Sequence, residues 1–506
     1  MAMSAWTNVD DGVLVSSCLP LNIMHTTCFR NMLGMVASLF CFVQMVMSAI
    51  QVNSGTPLDH VWGTTMGSVE LALCLAICLP IVMWAIIDVK SSCGRLRRVL
   101  LPWYLVCMAG GIILLVVLSS RASWLASLAG CAVVVFKCAI QRLPQCAIRI
   151  RKFAMIVMVG LCGLGVASYY VRTSSADGRM LIWKISVHDF LNGNISLLPS
   201  GKDFSVFIGE AQEHYFSSQV RPVAEQFLAG APNYAYNEWL QMVVEWGVLP
   251  TLVVIVVVVL MVMRLVKNKS PEPIPILGGI VAVVVLSMFS YPLRCISSLW
   301  LVAMLMTCGV VTCLSNRKAK MVVLVVCVPV VTIKSAYDYH RATLCQKIIE
   351  ECRIFDSSNA TGAVSNHLAV YERMTPYVDN EPEFLLYYAK ALFDAHNYHQ
   401  CIAILRRARL KSGDPIFFLI EGKCRQQQRQ YTQAEQMYLH AYYRIPHKVY
   451  PLYLLMNLYD KVGNATRVRD VALKILSISP KVPSQEFYYI QQQARKAIEG
   501  GASPHD

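Results

Sequence analysis

The sequence predicts an all-α protein, in which a polytopic helical membrane domain precedes a soluble α-helical repeat domain. Of its 506 residues, 56% are hydrophobic and only 15% are charged, whereas ordinary soluble domains contain about 25% charged residues. Apolar stretches long enough to cross a bilayer recur through the first two-thirds of the chain. The last third is more polar and contains a sequence repeat. These three observations set the domain organisation.

About nine apolar spans are predicted between residues 32 and 335, which we assign to the transmembrane domain. They cover approximately residues 33–50, 69–87, 99–118, 124–136, 153–170, 248–263, 274–289, 299–314 and 321–335. Residues 1–31 carry no pattern that we can assign, and we identify no cleavable signal peptide in them. The one long polar stretch within this part of the chain, residues 171–247, is predicted to be a large loop.

Clusters of Lys and Arg follow the second, fourth, sixth and eighth spans. Because positive residues favour the cytoplasmic side, this alternation places the N-terminus in the cytoplasm. It places the long loop and everything after the last span on the opposite side, the periplasm if the membrane is a bacterial inner membrane. The net charge of +14 is thereby explained, and we expect membrane lipids, not nucleic acid, to be the partners of these basic residues.

The 19 cysteines give no evidence of a metal site. Many lie inside apolar spans, where Cys behaves as a small apolar residue. No CxxC pair or Cys/His spacing typical of metal ligands is present. We therefore predict neither a metal nor another cofactor.

Residues 336–506 are helical in pattern and contain an internal repeat. Tyr388, Ala389, Leu392, Tyr398, Cys401, Leu405 and Ala408 recur 33 positions later as Glu421, Gly422, Arg425, Tyr431, Ala434, Tyr438 and Ala441. This pattern resembles the tetratricopeptide repeat, and residues 452–480 resemble a third, degenerate unit. Such units stack into a concave surface suited to a periplasmic protein partner. An ordinary helical bundle is the alternative.

Two arginines are candidates for binding phosphate. Arg121 stands at the mouth of the fourth span and Arg179 lies near the start of the long loop, with Lys184 and Arg294 predicted on the same side of the membrane. An arginine at a membrane surface either anchors to lipid head groups or donates two parallel hydrogen bonds to phosphate. Arg179 lies about nine residues beyond the span, so anchoring explains it less well.

Several segments together resemble the O-antigen ligase and polymerase superfamily. Residues 120–126 (SRASWLA) and 177–184 (DGRMLIWK) are similar to two of its motifs. Residues 209–212 (GEAQ), 215–216 (YF) and 235–241 (AYNEWLQ) are similar to the rest of its periplasmic loop. The resemblance covers about residues 33–335. Some members also carry helical repeats after the last span.

The resemblance implies a GT-C-type glycosyltransferase that takes a glycan from undecaprenyl diphosphate without a metal and transfers it to a periplasmic hydroxyl acceptor, either lipid A-core or protein. Its arginines would stabilise the leaving diphosphate. The predicted catalytic residues are Arg179, Glu238, Glu245 and His214. The predicted substrate-binding residues are Arg121, Trp183, Lys184, Asn237, Gln241 and Arg294.

The identity of the general base is left open by the sequence. Members of this superfamily commonly have His before the Asn of the last loop motif, where this chain has Tyr236. Glu238, Glu245 and His214 are candidates for that role, with His188 as a further one. Each carboxylate is alternatively a helix cap or an interfacial group, and His214 is alternatively a solvated loop residue. Asn237 and Gln241 either bind sugar hydroxyls or hold the loop in place.

Two other functions remain open at this point. The same chemistry with a second glycan as acceptor would make the chain a polysaccharide polymerase. Alternatively, the membrane domain is non-catalytic and anchors the repeats as a scaffold. The short N-terminal part favours the scaffold, since the superfamily usually has about a dozen spans.

Overall fold

A computed structural model describes residues 10–90, 95–171, 173–358, 364–378 and 380–500. All regular secondary structure within these ranges is helical. The chain divides into two compact units. The first contains residues 1–171 and 254–338, and the second contains residues 172–253 and 339–506. The polar stretch between the fifth and sixth predicted spans therefore groups with the repeats.

The first unit consists of long apolar helices. They are α1 (Asp10–Asn53), α2 (Ser68–Lys90), α3 (Arg95–Val117), α4 (Arg121–Arg142) and α5 (Ala147–Val171). After the helices of residues 173–246, which belong to the second unit, the apolar series continues with α10 (Val248–Lys267), α11 (Pro273–Phe289), α12 (Ile296–Cys313) and α13 (Arg317–Ser358). Helices α10 and α13 cross the boundary between the units.

Seven apolar segments of the described chain are long enough to cross a membrane. They belong to helices α1–α4, α10, α12 and α13. Helix α11, which contains the seventh predicted span, is shorter at 17 residues, and helix α5, which contains the fifth, is not among the seven. The chain is thus a multi-pass membrane protein, and these results account for seven of the nine spans expected from the sequence.

Helix α2 lies at the centre of the first unit, with 83% of its apolar window buried. Small residues let α4 and α11 approach each other closely beside it. A Cβ at Gly130 would lie 2.6 Å from the carbonyl oxygen of Gly278, and one at Gly278 would lie 2.5 Å from Val134 Cγ2. Close backbone approach at small residues is a common means of packing membrane helices.

Glu70 is a buried carboxylate in the first turn of α2, only 4% exposed. Its Oε2 accepts a hydrogen bond from the Met66 amide (2.9 Å), and its Oε1 accepts one from the Ser297 amide (2.5 Å). A carboxylate at a helix N-terminus is stabilised by such backbone donors. These contacts give Glu70 a structural role between α2 and the start of α12.

The long loop predicted for residues 171–247 is mostly helical in the structure. It forms α6 (Thr173–Asp189), a π-helical turn (Phe190–Asn194), α7 (Phe204–Ser218), α8 (Val223–Leu228) and α9 (Glu238–Trp246). Its buried apolar residues, including Ile185, Phe204 and Ile208, form one core. Helices α8 and α9, with six and nine residues, are too short to show a helical period in the sequence.

The repeat domain follows as α14 (Val364–Val378), α15 (Pro382–Asp394), α16 (Tyr398–Arg409), α17 (Ile416–Gln427), α18 (Tyr431–Arg444), α19 (Tyr450–Lys461), α20 (Ala465–Ser477) and α21 (Gln485–Gly500). The first helices of the three pairs α15–α16, α17–α18 and α19–α20 begin 34 residues apart. The predicted third unit is therefore a regular helix pair.

The turn inside each pair has the same backbone conformation. His396, Arg429 and Gly463 have φ of 58°, 60° and 75°, which is the left-handed region. Asn397 and Asn464 then cap the following helices by accepting from the Gln400 and Arg467 amides. Small residues are required where the paired helices touch, since a Cβ at Gly422 would lie 2.4 Å from the Tyr438 ring.

Helix α7 packs against the repeats within the second unit. A Cβ at Gly413 would lie 2.0 Å from the Ser205 carbonyl oxygen, and the Gly413 amide donates to Ser205 Oγ over 3.1 Å. Glu213 of α7 forms ion pairs with His440 and with Arg444 of α18, the latter at 3.2 Å. The helical loop and the repeats therefore share a specific interface.

Candidate functional site

A cavity of about 490 Å³ in the second unit is lined by Arg179, one of the predicted site residues. Arg179 and Ile182 line it from α6, and Gln212 lines it from α7. Segment 227–232 and Tyr236 form another wall, and Lys481 comes from the repeat domain. The cavity thus combines two cationic side chains and an amide with apolar walls. Such a lining suits a ligand with both an anionic and an apolar or sugar part.

Arg179 and Tyr236 lie against each other in this cavity. The guanidinium carbon is 4.6 Å from the centroid of the Tyr236 ring, within the range of a cation–π contact. Tyr236 has φ of 53°, a conformation uncommon for a bulky residue and often found at functional sites. The residue that replaces the expected histidine therefore contacts the predicted phosphate-binding arginine.

Helix α9 begins at Glu238, two residues after Tyr236. Asn237 caps it, because its Oδ1 accepts from the Leu240 amide over 3.0 Å. Glu238, the first residue of the helix, is 1% exposed. At the other end, Gly247 has φ of 84°, and a Cβ there would lie 2.5 Å from the Leu198 carbonyl oxygen. A helix cap was the alternative interpretation of Glu238 from the sequence. In the structure, the residue that caps α9 is Asn237.

Gln241 and Glu245 form a hydrogen-bonded pair one turn apart on α9. Gln241 Nε2 donates to Glu245 Oε1 over 2.9 Å, and Gln241 Oε1 accepts from the Ala235 amide over 3.1 Å. Glu245 Oε1 also accepts from the Phe204 amide at the start of α7 over 3.3 Å. These bonds hold the ends of α7 and α9 together, which favours the structural interpretation of both side chains.

Trp183 and Lys184 also make defined contacts. Trp183 Nε1 donates to the Ala235 carbonyl oxygen over 2.8 Å, which fixes the chain just before Tyr236. Lys184 forms a 2.5 Å ion pair with Glu225 of α8. The hydrogen bond that Lys184 donates to this carboxylate, followed by its hydrogen bond with Tyr215, raises the pKa of Lys184. Burial alone would raise the pKa of Glu225. The hydrogen bonds that Glu225 accepts from Lys184 and Tyr215 outweigh this effect and lower its pKa.

The lining of the Arg179 cavity does not include His214, His188, Arg121 or Arg294. His214 is largely exposed, and its Nδ1 is 3.7 Å from the Asp189 carboxylate. His188 contacts the Tyr215 ring edge-on, with 5.1 Å between ring centroids. Arg121 begins α4 and Arg294 lies in the turn between α11 and α12, both in the first unit. No group of His, Cys, Asp or Glu suited to a metal ion occurs among the described residues.

Gln212, Phe227 and Lys481 are among the cavity residues that the sequence did not predict. Gln212 lies inside a quoted motif, and its side chain bonds the Gly230 carbonyl oxygen over 2.8 Å. Lys481 Nζ is 5.6 Å from the centroid of the Phe227 ring. Lys481 is about 300 positions from Arg179 in the sequence, so only the fold reveals that they share a cavity.

Comparison with known proteins identifies the repeat region. Residues 360–441 match the family model of ANAPC3, subunit 3 of the anaphase-promoting complex or cyclosome. No O-antigen ligase family model matches the chain, and no curated protein matches it.

Among solved structures, the chain is similar to crystal structures of MamA. One has 17% identity and a TM-score of 0.24, covering 29% of this chain and 91% of the MamA chain. A second has 16% identity and a TM-score of 0.25, covering 32% and 90%. The MamA RS-1 ArsTM double mutant has 16% identity and a TM-score of 0.24, covering 32% and 92%.

These findings define the protein at a coarse level. It is an all-α, membrane-anchored protein with several long apolar helices in its N-terminal half, followed by tetratricopeptide-like repeats. The glycosyltransferase activity, the donor and the side of the membrane remain predictions from the sequence.

Proposed function

We propose that this protein is a metal-independent glycosyltransferase of the inner membrane that transfers a glycan from undecaprenyl diphosphate to a hydroxyl acceptor in the periplasm. The observation that carries the proposal is the cavity in which Arg179 meets Tyr236, with Lys481 in the same lining. Two cations in the lining of a partly apolar cavity suit a diphosphate attached to a sugar and a lipid.

The proposed transfer reaction depends on stabilisation of negative charge more than on a cofactor. As the bond between the sugar and the diphosphate breaks, negative charge grows on the leaving oxygen, and prepositioned cations stabilise it. Arg179 is suited to this because guanidinium offers parallel donors to phosphate oxygens. We assign the role of base to Glu238, the buried carboxylate two residues after Tyr236, because the acceptor hydroxyl needs a proton acceptor close to the donor.

The periplasmic location is part of the proposal. It is supported by the regular alternation of basic clusters, which assigns the segments around α6–α9 and the repeats to the side opposite the cytoplasm. Lipid-linked donors rather than cytosolic nucleotide sugars are then the available substrates.

The proposal is tested by replacing Arg179 in the host bacterium. We expect Arg179→Ala to lower glycan transfer by about 100-fold or more, as expected when a charge-stabilising donor is lost, and to cause undecaprenyl-linked glycan to accumulate. Arg179→Lys is expected to retain part of the activity. Arg495→Ala, which removes an exposed arginine on α21, is the matched control. Wild-type transfer by a correctly inserted Arg179→Ala protein would refute the role.

A non-catalytic scaffold is the second candidate, and one observation favours it. The recognisable family match lies entirely in the repeats. If a deletion strain accumulates no lipid-linked glycan and no species loses glycan, the scaffold explains the protein better. A change in glycan chain length with attachment intact would instead identify the polymerase.

A further inference from the structure

The second unit contains another cavity, of about 240 Å³, which we call the small cavity. Its walls come from the end of α6 and the π-helical turn that follows it, from α7, from the segment 196–202 and from the end of α9. The lining that the structure describes includes neither Arg179 nor Glu238, so the proposed reaction does not use it. Sites for drug-sized ligands have about 300–1,000 Å³, so the small cavity suits a ligand about the size of one sugar ring.

Helix α7 separates the small cavity from the Arg179 cavity. Phe207, Glu210 and His214 line the small cavity, and their spacing of three and then four residues places them on one face of the helix. Gln212, which lines the Arg179 cavity, lies two residues from Glu210 and therefore on another face. The two cavities are thus separate sites that share one helix as a wall.

The small cavity places a basic side chain beside each of its acids. Lys202 Nζ lies 2.7 Å from the Glu210 carboxylate, and His214 Nδ1 lies 3.7 Å from the Asp189 carboxylate. The described lining of the Arg179 cavity instead contains two cations and no acid. The Arg179 cavity therefore favours an anion, whereas the small cavity disfavours one.

The polar groups of the small cavity match the hydroxyls of a sugar. Carboxylate oxygens accept hydrogen bonds from hydroxyls, and Lys and His nitrogens donate to them. The Asp189 side chain is only 9% exposed and that of His214 is 68% exposed, so these groups run from the floor of the cavity to its rim. On the apolar side, the ring centroids of Phe190 and Phe207 lie 5.7 Å apart. The C–H face of a sugar ring packs well on such a surface.

The wall formed by segment 196–202 is fixed at two points. Ser200 Oγ donates to the Val244 carbonyl oxygen of α9 over 2.9 Å. The Val248 amide, at the start of α10, donates to the Ser196 carbonyl oxygen over 3.0 Å. Because this wall is already in place, a ligand does not have to order it, and the entropic cost of binding is lower.

We propose that the small cavity binds one neutral sugar unit of a glycan substrate. Asp189 and Glu210 accept hydrogen bonds from its hydroxyls, His214 donates to one, and the Phe190 ring covers one face of the sugar. A zwitterion such as an amino acid fits less well, because Glu210 and Lys202 already neutralise each other. The site goes beyond the proposed function, and only the source of the sugar, the donor or the acceptor glycan, rests on that function.

Direct binding tests the site without any transfer reaction. The full-length protein is placed in phosphatidylcholine nanodiscs, because detergents with sugar head groups would compete for the site. The probes are the methyl glycosides of glucose, galactose, mannose and N-acetylglucosamine, measured by isothermal titration calorimetry. Glu210→Gln and His214→Ala are the test variants, and His399→Ala, which removes an exposed histidine on α16, is the matched control. Pyrophosphate probes the Arg179 cavity separately.

We expect at least one glycoside to bind the wild-type protein. Loss of a hydrogen bond to a charged group should weaken that binding by about tenfold in Glu210→Gln and in His214→Ala, whereas His399→Ala should stay within about twofold of wild type. Binding of pyrophosphate should be unchanged in the two test variants, which shows that they are folded, and should be lost in Arg179→Ala.

Failure of every glycoside to bind, or equal binding by the wild type and both test variants, would overturn the sugar site. Binding of free alanine in place of the glycosides would do the same. If Arg179→Ala keeps its pyrophosphate binding while the glycosides behave as expected, the proposed function fails and the sugar site stands.

The kinetics of transfer identify the source of the sugar. If the sugar belongs to the donor glycan, Glu210→Gln should raise the KM for donors that carry several sugars and not for a donor that carries one. If it belongs to the acceptor, the KM for the acceptor should rise with both donors. Unchanged KM values for donor and acceptor would contradict the assignment of the site to a glycan substrate.

Discussion

Replacing Gly413 with Ala should loosen the contact between α7 and the repeats. The added Cβ would lie 2.0 Å from the Ser205 carbonyl oxygen and 3.3 Å from Gly209 Cα. Both neighbours are backbone atoms, so they cannot move aside as the end of a side chain can. Overpacking of this kind costs about 1–3 kcal/mol. Losing the buried hydrogen bond from the Gly413 amide to Ser205 Oγ adds about 1 kcal/mol.

The total of about 2–4 kcal/mol corresponds to a fall in Tm of roughly 4–8 °C for a unit of this size. The measurement is thermal unfolding of the full-length protein in detergent, followed by brief trypsin cleavage, which detects the opened repeats. Gly178→Ala is the control, since a Cβ at this helical position meets nothing within 4 Å and Ala favours the helix. If Gly413→Ala unfolds at the wild-type temperature, the interface does not exist as described.

Three further predictions concern separate features. Burial would raise the pKa of Glu213, but the hydrogen bond with His440 and the ion pair with Arg444 lower it from its ordinary 4.5. The contribution of Glu213 to stability is therefore present above that value and is lost as pH falls through the lowered pKa. Glu213→Gln should accordingly reduce the free energy of unfolding by about 1–3 kcal/mol at pH 7 and by less at pH 3. Urea unfolding measures both values, and an equal loss at the two pH values would contradict this prediction. The sulfurs of Cys401 and Cys424 lie 3.4 Å apart in the repeat core. If the repeats lie in an oxidising compartment, we expect mass spectrometry without reductant to find the two residues joined by a disulfide. Two free thiols would argue against a periplasmic repeat domain. In the first unit, Gly278→Leu should reduce the yield of folded protein in detergent because it separates α4 from α11, and Gly160→Leu, where a Cβ meets nothing within 4 Å, should leave the yield near wild type.

The repeat domain was largely predictable because its signal is periodic. The 33-residue register from Tyr388 to Glu421 comes within one residue of the 34-residue spacing of the first helices, and small residues mark the positions where the helices touch. The apolar helices were predictable from hydropathy. Even there, the structure extends the last span into a 42-residue helix, since a change from apolar to polar sequence does not by itself end a helix.

The candidate site was predictable only in part. The motifs that contain Arg179 and Tyr236 are visible in the sequence, but their folding into helices around one core is not, because α8 and α9 are too short to show a helical period. The left-handed backbone at Tyr236 has no sequence signal such as glycine. Lys481 belongs to a different domain in the sequence, and its position beside the Arg179 cavity depends on long-range packing. The roles of Glu245 and Gln241 as ties between helices likewise needed coordinates.

The contact between Ser205 and Gly413 spans 208 positions of the chain, and this separation has a consequence for biosynthesis. Helix α7 leaves the ribosome before the last apolar helices and before every repeat. At about 5–20 residues per second, its partner surface is made roughly 10–40 seconds later. During that interval the face of α7 that will meet the repeats remains uncovered. A nascent chain that stalls within the apolar helices would therefore present a bare helix, which a protease or chaperone can recognise as an unfinished product.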